Sequence, residues 1–261
     1  MVGLRKVYEA RGSVVEAIRD VSFHVDAGEL VCLLGPSGCG KSTLLRCVAG
    51  LLAPTSGEVR LAGRRVAGPP PGMAVVFQEY GRSLFPWMTV RANVELPIRE
   101  KKVPRSRRDR LVESALQAVG MADFQDAQPW QLSGGMQQRV AIARAIAYEP
   151  QVLLMDEPFA AVDAQTRADL EDLVRVVWQR LGVTTLFITH DIDEAVYLGQ
   201  RVIVLASRPT TVQEDLRIDL SDPRDQITTR SDPRFTELRT HVYAEIRQAQ
   251  RAAAMPASSG R

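Results

Sequence analysis

The segment GPSGCGKST, residues 35–43, restricts the fold of this chain more than any other stretch of its sequence. It fits the pattern G-x-x-x-x-G-K-[S/T] and lies between an apolar run, ELVCLLG, and a helix-like run, KSTLLRCVAGLL. Its glycines allow backbone N–H groups to turn toward phosphate oxygens, and the helix N-terminus adds partial positive charge. The sequence therefore predicts a strand, a phosphate-binding loop and a helix in succession. The residues expected to contact the nucleotide there are Gly35, Pro36, Ser37, Gly38, Cys39, Gly40, Lys41, Ser42 and Thr43.

The lysine of this segment is informative because the chain rarely uses lysine. Of its 33 basic residues, all but Lys6, Lys41, Lys101 and Lys102 are arginines. A compact ammonium on a flexible stem fits a narrow phosphate loop better than a planar guanidinium. Lys41 is expected to reach the β- and γ-phosphates of a nucleotide, and the Ser42 hydroxyl to ligate Mg²⁺. A glycine turn without a ligand is the alternative, and the flanking strand and helix disfavour it.

Short apolar runs alternate with helical patterns along most of the chain. The runs have the length and near-continuous apolarity of strands buried on both faces of a parallel sheet. The expected strands are 29–35, 73–77, 151–156, 184–190 and 201–206. The expected helices among them are 41–52, 164–182 and 191–199. This alternation predicts an α/β fold.

Three parts of the chain depart from the alternation. Residues 87–150 carry two helical patterns and no clear strand, which predicts an inserted helical subdomain. The first 28 residues and 57–66 have the character of β-hairpins. After residue 207, loops with two DPR turns precede a helical pattern at 233–250. The small and polar residues 251–261 are expected to be disordered.

The composition is that of an ordinary globular protein, with 45% hydrophobic and 25% charged residues. The net charge of +2 is too small to indicate nucleic acid as a partner. Cys32, Cys39 and Cys47 fit neither a disulfide framework nor a CxxC metal site, so we expect buried thiols in a reducing compartment. No apolar run reaches the ~18 residues of a membrane span, and the N-terminus lacks a secretory signal. We therefore expect a cytoplasmic protein that does not itself enter the bilayer.

A second chemical motif, QVLLMDEP at 151–158, ends a buried strand in two adjacent acids. Asp156 is placed to hold Mg²⁺ through water, and Glu157 to polarise an attacking water. Alone, such a pair is more often a capping or solvated turn. The phosphate loop upstream favours the functional interpretation.

The segment LSGGMQQR, residues 132–139, is followed about 20 residues later by LLMDEP, and together they resemble the signature of ATP-binding cassette (ABC) ATPases. These are the motor subunits of ABC transporters. The usual motif is LSGGQ, and Met136 replaces its glutamine here. The resemblance covers nearly the whole chain.

The resemblance assigns roles to four further residues in chain order. Tyr8 corresponds to the aromatic residue that stacks on adenine, and Gln78 to the glutamine that links the nucleotide site to the helical subdomain. Asp163 corresponds to the aspartate that contacts the partner subunit, and His190 to the histidine at the γ-phosphate. Singly, each has an ordinary alternative, such as a surface aromatic for Tyr8 or an N-cap-like residue for His190. Six motifs in the right order outweigh these alternatives.

A narrower resemblance links the chain to the nitrate, sulfonate and taurine group of importers. It rests on FQEYGRSLFPWMTVRANVELP (77–97) and on PRDQ and DPRF in the tail. Leu84, Phe85 and Trp87 either belong to the subdomain core or floor a groove for a permease. Members of this group usually have several more residues before GLRKVY, so we expect a shortened first strand or a late start.

The family implies a P-loop NTPase (RecA-like) fold, with a parallel-sheet core, an antiparallel β subdomain and an inserted α-helical subdomain. The expected boundaries are 1–86 and 151–207 for the core with its β subdomain, 87–150 for the helical subdomain, 208–250 for a C-terminal extension, and 251–261 for the tail.

The family also implies a mechanism that needs two copies of the chain. One copy's phosphate loop holds ATP, and the other copy's Ser133, Gly134 and Gly135 close over the γ-phosphate. Glu157 is expected as the base, with His190 orienting it. Lys41, Ser42, Gln78 and Asp156 are expected to contact phosphate and Mg²⁺, with Ser42, Gln78 and Asp156 as metal ligands.

The expected partners are a second copy and transmembrane permease subunits, with a periplasmic or lipoprotein substrate-binding protein acting indirectly. The expected location is the cytoplasmic face of the membrane. A soluble ABC ATPase of repair or translation is the alternative. It is disfavoured because the chain has one cassette and only 89 residues, without heptads, between Ser42 and Leu132. The basic run at 99–110 suggests a solvated face, or more weakly a contact with anionic lipid.

Overall fold

The computed structural model describes residues 1–10, 12–78, 83–99, 101–206 and 209–254. Its internal contacts divide the chain into two compact units. The first unit consists of Met1–Asp26, Leu30–Pro70 and Phe187–Arg261, and the second of Ala27–Glu29 and Pro71–Leu186. The predicted helical insertion thus lies in the second unit, together with the strands that precede and follow it.

The five predicted apolar runs each form a strand, to within about a residue at each end, and the described residues contain six further strands. In chain order, the strands are β1 (Val2–Ala10), β2 (Ser13–Val21), β3 (Leu30–Leu34), β4 (Ser56–Glu58), β5 (Arg60–Leu61), β6 (Arg64–Arg65), β7 (Met73–Val76), β8 (Val152–Asp156), β9 (Thr184–Thr189), β10 (Arg201–Leu205) and β11 (Thr210–Arg217).

The helices with defined bounds are, in chain order, α1 (Lys41–Val48), α2 (Val90–Arg99), α3 (Arg105–Ala118), α4 (Gly134–Ala147), α5 (Ala164–Leu181), α6 (Ile192–Leu198), α7 (Thr228–Ser231) and α8 (Pro233–Ala254). Two 3₁₀ turns, Ala122–Phe124 and Pro129–Gln131, precede α4. Across the described ranges, we find no helix with the length and apolarity that a membrane crossing demands.

The first unit contains a mixed sheet with strand order β4-β1-β2-β11-β10-β3. β1 pairs antiparallel with both β2 and β4, whereas β10 pairs parallel with β3, with Val202 beside Cys32. All five residues of β3 are buried. The unbroken apolarity of β3 is therefore explained by burial on both faces, as predicted. The antiparallel pairing of β1 with β2 confirms the hairpin character of the N-terminal residues.

The second unit combines parallel strands with helices. β7 pairs parallel with β8, with Met73 opposite Val152, and the N-terminal half of β9 continues the order β9-β8-β7. Between β7 and β8, the described residues from 83 to 150 form helices α2 to α4 and the two 3₁₀ turns. The prediction of a helical segment between two core strands is confirmed.

Helix α2 and strand β11 are among the elements that were not predicted. Helix α2 contains Pro97, which interrupts its pattern, and the fully buried Asn93, which places a polar group on the apolar side. The residues after 207 were expected to form loops, yet β11 pairs antiparallel with β10 and parallel with β2. Only its first residue, Thr210, is buried, so its sequence lacks the apolar run of the other core strands.

Two helix ends also differ from the prediction. Helix α1 ends at Val48 rather than residue 52, and Gly50, just beyond it, has a left-handed φ of +69° that cannot continue the helix. Glycine is needed at this position because a Cβ there would lie 2.2 Å from the Gly68 carbonyl oxygen. Helix α8 extends to Ala254 and so includes the first four residues of the segment expected to be disordered. Residues 255–261 lie outside the described part of the chain. The predicted C-cap of α5 at Gly182 is confirmed, with φ +59°.

The PRDQ segment is anchored by Arg224, whose side chain is only 1% exposed. Its Nη1 lies 3.1, 2.7 and 2.9 Å from the carbonyl oxygens of Val196, Tyr197 and Gly199. These carbonyls lie at the C-terminal end of α6, where helix carbonyls lack intrahelical partners and carry partial negative charge. The guanidinium therefore ties the tail to this helix end.

We predict that Arg224→Met lowers the free energy of unfolding by about 2–4 kcal/mol, because it removes charge-assisted bonds and leaves buried carbonyls without partners. Urea unfolding of the whole chain measures the change. Arg234→Met is the control, because Arg234 pairs with Asp219 and Glu237 on an exposed surface. Equal shifts of the two variants would contradict the anchoring role of Arg224.

Candidate functional site

The predicted phosphate loop connects β3 to α1 within the first unit. Lys41 is 4% exposed, and its Nζ donates to the carbonyl oxygens of Gly35 at 2.7 Å and Pro36 at 3.1 Å. These bonds hold the ammonium against the loop. The first turn of α1 contains no acidic residue, so nothing within that turn offsets the positive end of the helix dipole. The arrangement is that of an anion-binding site.

The backbone of the loop requires glycine at two positions. Gly38 and Gly40 have φ of +75° and +103°, and a Cβ on Gly40 would lie 2.5 Å from the Thr210 Oγ1. The Thr210 hydroxyl bonds to the carbonyl oxygen of Ala17 at 2.8 Å and also to that of Cys39 in the loop. Sequence reasoning missed Thr210, because it belongs to the strand that was not predicted.

The three cysteines are buried thiols and form no disulfide, as predicted. Burial raises the pKa of the Cys47 thiol above its usual value, with a smaller opposing effect from Lys6. The thiol therefore stays protonated and apolar at neutral pH.

Tyr8 lies on β1, in the same unit as the phosphate loop. The residue is 40% exposed, and its hydroxyl is 3.4 Å from the Thr43 Oγ1 at the start of α1. The structure thus brings an exposed aromatic face beside the predicted phosphate site. Strand β1 has nine residues, including this tyrosine.

His190 follows β9 and is exposed, while its neighbours are fixed. The Asp191 carboxylate accepts from the backbone N–H groups of Asp193 at 2.8 Å and Glu194 at 3.2 Å, and so caps α6. The Thr189 hydroxyl donates to Glu194 at 2.6 Å and accepts from the Asp191 N–H at 2.9 Å. The N-cap is therefore Asp191, and the alternative of His190 as the capping residue is wrong.

The two acids at the end of β8 lie in the second unit and differ in environment. Asp156 is buried, whereas Glu157 is half-buried and has φ +43°. Among the described residues, Glu149 also has a positive φ, +52°, but it follows the C-terminal end of α4, where this conformation is common. Glu157 follows a strand instead, and such strain is a frequent feature of functional residues.

Gln78 lies two residues after β7 and is exposed. Residues 79–82, which the family places in the coupling region, lie outside the described part of the chain. From residue 83 the chain is held by Arg144, whose guanidinium donates to the Ser83 carbonyl oxygen at 2.5 Å and to its hydroxyl at 2.9 Å. Burial lowers the pKa of Arg144 from its ordinary value.

The alternatives for residues 84–87 divide between core and surface. Leu84 is buried, whereas Trp87 is 71% exposed with its ring centroid 5.3 Å from that of Phe85. The amide of buried Asn93 bonds the Phe85 N–H at 2.8 Å and the Phe85 carbonyl at 3.1 Å. A fixed backbone therefore presents Trp87 to solvent.

The signature segment begins α4. Ser133 is its N-cap, and its Oγ accepts from the Met136 N–H at 3.3 Å. Ser133 and Gly134 are exposed, and the first turn of α4 contains no acidic residue. This helix end is thus a second site with exposed N-terminal groups and an uncompensated dipole.

Gly135 is buried, unlike the two residues before it, and it packs closely against Thr166. A Cβ there would lie 2.4 Å from the Thr166 Cγ2 at the start of α5. Thr166 in turn donates its hydroxyl to Asp163 at 2.6 Å and its N–H to the same carboxylate at 3.0 Å. These two bonds hold the pKa of Asp163 below its usual value, and the bond from the Thr166 hydroxyl has the larger effect. The structure therefore links two predicted motifs, Gly135 and Asp163, through Thr166.

Residues 18–160 match the family described as ABC transporter, which is more than half of the chain. The chain belongs to the ABC transporter family. This ABC protein is 50% identical to the nitrate import ATP-binding protein NrtD of Synechocystis sp. over 85% of its own length and 81% of that protein. It is 48% identical to the taurine import ATP-binding protein TauB of Roseobacter denitrificans, over 81% and 78% of the two chains.

Solved structures agree with this assignment. The dimeric post-hydrolysis structure of the ATP-binding cassette MJ0796 bound to ADP and Pi has a TM-score of 0.73 and 31% identity, covering 83% of this chain and 97% of that one. The ABC protein thus has the fold of an ATP-binding cassette, a P-loop NTPase core with an antiparallel β subdomain and inserted helices, as predicted.

The packing of Gly135 against Thr166 can be tested with a substitution and a second substitution that compensates for it. We predict that Gly135→Ala lowers the ATPase rate about tenfold or more, because its methyl group forces α4 away from α5. Thr166→Ser removes the opposing methyl group but keeps the hydroxyl bound to Asp163. The double variant Gly135→Ala/Thr166→Ser should therefore recover most of the rate.

Steady-state ATP hydrolysis of the two single variants and the double variant, beside the original chain, measures this coupling. Thr166→Ser alone is the control and should retain nearly full activity. If the double variant is as slow as Gly135→Ala, the steric explanation is wrong.

Proposed function

We propose that this chain is the ATP-hydrolysing motor subunit of an ABC importer for a small solute of the nitrate, sulfonate or taurine kind. One observation carries the proposal. The chain is about half identical, over more than four fifths of its length, to ATP-binding proteins named for nitrate and taurine import. In addition, it retains each residue that nucleotide hydrolysis requires, namely Lys41, Asp156, Glu157 and His190.

The nucleotide is held by the first unit. Tyr8 stacks its exposed ring on the adenine, and the glycine-rich backbone of residues 35–40 binds the phosphates. Lys41 binds the β- and γ-phosphates as a point charge. The dipole of α1 adds to this attraction.

Mg²⁺ fits the donors that the chain offers. The Ser42 hydroxyl, the Asp156 carboxylate and the Gln78 amide oxygen are hard oxygen ligands, which this cation prefers. Once bound with ATP, Mg²⁺ would neutralise charge on the β- and γ-phosphate oxygens. Asp156 is buried at the end of β8 and would supply the carboxylate.

Hydrolysis depends on positioning and charge rather than on covalent catalysis. Glu157 accepts a proton from the attacking water. The water oxygen bonds to the γ-phosphorus while the bond between the γ-phosphorus and the β–γ bridging oxygen breaks. The products are ADP and phosphate. His190 lies between Thr189 and Asp191, which are hydrogen-bonded to each other, and it orients Glu157 and contacts the γ-phosphate.

Two copies of the chain complete the site. The N-terminus of α4 in one copy, with exposed Ser133 and Gly134, binds the γ-phosphate held by the phosphate loop of the other. The packing of Gly135 on Thr166 fixes this helix end, and Asp163 contacts the partner copy. The related cassette MJ0796 forms a dimer in its structure with ADP and Pi.

The remaining partners lie at the membrane. Gln78 and the segment up to residue 92 transmit ATP-driven closure to transmembrane permease subunits on the cytoplasmic face. Exposed Trp87 provides apolar area for this contact. A separate substrate-binding protein delivers the solute to the permease.

The role of Glu157 is tested by trapping. Glu157→Gln keeps the shape of the side chain but removes the base, so ATP should accumulate in a stable dimer while hydrolysis falls at least a hundredfold. Gel filtration with ATP and Mg²⁺ measures the dimer. Glu149→Gln is the matched control, since Glu149 also has positive φ but pairs with Arg107 on the surface. A monomeric Glu157→Gln variant would refute the two-copy mechanism.

The importer assignment is tested by co-purification with permeases of nitrate, sulfonate and taurine importers, expressed together with this chain. Trp87→Ala should reduce the recovered complex severalfold, because it removes the exposed ring from the proposed contact. Trp130→Ala is the control, because Trp130 is exposed to nearly the same extent, 69%. If the chain binds no such permease yet hydrolyses ATP, it is a soluble ABC ATPase instead.

A further inference from the structure

The C-terminal helix α8 and strand β11 together present three metal-binding side chains outside the nucleotide site. Glu214 comes from β11, and His241 and Glu245 come from α8. One ligand atom from each lies within 4.8 Å of the others. We infer that these three residues form a binding site for a divalent transition-metal ion that fastens α8 to β11.

The spacing of the donors supports this inference. The Nε2 of His241 lies 2.8 and 3.0 Å from the two carboxylate oxygens of Glu214. Metal–ligand bonds of about 2.0–2.2 Å place neighbouring ligands about 2.8–3.6 Å apart in octahedral or tetrahedral geometry. His241 and Glu214 thus form a hydrogen bond whose length is close to the separation of two ligands in one coordination sphere, and a metal ion would displace its proton. An oxygen of Glu245 lies within 4.8 Å of both donors.

The third ligand is directed by the helix and by a neighbour. Glu245 is four residues after His241, so both side chains leave the same face of α8. The Gln213 side-chain amide donates to the Glu245 carboxylate at 3.2 Å. Such a bond to a ligating carboxylate restrains its orientation, as outer partners commonly do at metal sites.

The chemistry of the donors selects the ion. One imidazole and two carboxylates suit Zn²⁺ or a similar transition ion better than Mg²⁺ or Ca²⁺, which prefer oxygen ligands alone. Two carboxylates and a neutral imidazole balance the charge of a divalent cation. Because His241 is exposed, water can complete the coordination.

The position of the site gives the ion a structural effect. On another side of α8, Arg239 pairs with Asp193 of α6 at 2.8 Å, near His190. An ion bound by Glu214, His241 and Glu245 would add a second attachment, to β11. We therefore expect metal binding to stabilise the docking of α8, which is independent of the proposed transport function.

The test uses the full chain without a polyhistidine tag, treated with EDTA, then dialysed, and free of nucleotide. Calorimetric titration with Zn²⁺ should show one ion per chain in the micromolar range. His241→Gln and Glu245→Gln should each weaken binding at least tenfold. His24→Gln is the control because His24 is an exposed histidine elsewhere in the chain, and it should bind as the original does.

Two further readouts separate this site from other sources of binding. Bound Co²⁺ should show the visible spectrum of nitrogen and oxygen ligands, and a thiolate charge-transfer band would assign binding to the cysteines and overturn the proposal. Zn²⁺ should slow hydrogen exchange in α8 of the original chain but not of His241→Gln. The proposal also fails if Zn²⁺ does not bind, or if His241→Gln leaves the affinity unchanged.

Discussion

The buried ammonium of Lys41 sets the shape of the nucleotide site. A charge that is almost removed from water needs close acceptors, and the carbonyl oxygens of Gly35 and Pro36 supply them at 2.7 and 3.1 Å. Those carbonyls keep their direction only if the loop stays tightly folded. The loop is confined in turn, because a Cβ on Gly35 would lie 2.9 Å from the Cys39 sulfur and 3.1 Å from the Leu205 carbonyl oxygen. The loop is thus shaped by close backbone packing as well as by the bonds of Lys41.

The two glycines of the signature serve different purposes. Two glycines at the start of a helix are unfavourable by about 1 kcal/mol each relative to alanine, so each needs a reason. For Gly135 that reason is the close approach of Thr166. Ser133 and Gly134 are exposed, so close packing of this kind does not explain the glycine at position 134. The structure therefore separates a closely packed glycine, Gly135, from the two exposed residues before it.

Elements with a clear local pattern of apolar residues could be predicted from the sequence. Elements that are only partly buried could not. β3 and β8 are recognisable because nearly every residue is apolar and buried, and α5 because its apolar stripe ends at Gly182. β11 is half-exposed and charged, and so it has no such pattern. The sequence correctly placed Lys41 at the start of α1 and Asp156 at the end of β8. Thr210 and Thr166 were missed because their roles depend on contacts that no local pattern records.

The segment after β10 is better understood as part of the first unit than as an appendage. Thr210 binds a carbonyl of the phosphate loop, Arg224 closes the C-terminal end of α6, and Arg239 pairs with Asp193 near its start. The last two contacts hold both ends of the short helix that directly follows His190. A helix of seven residues is marginal alone, so these tertiary contacts decide its position. Because His190 immediately precedes that helix, the C-terminal segment fixes where this histidine stands.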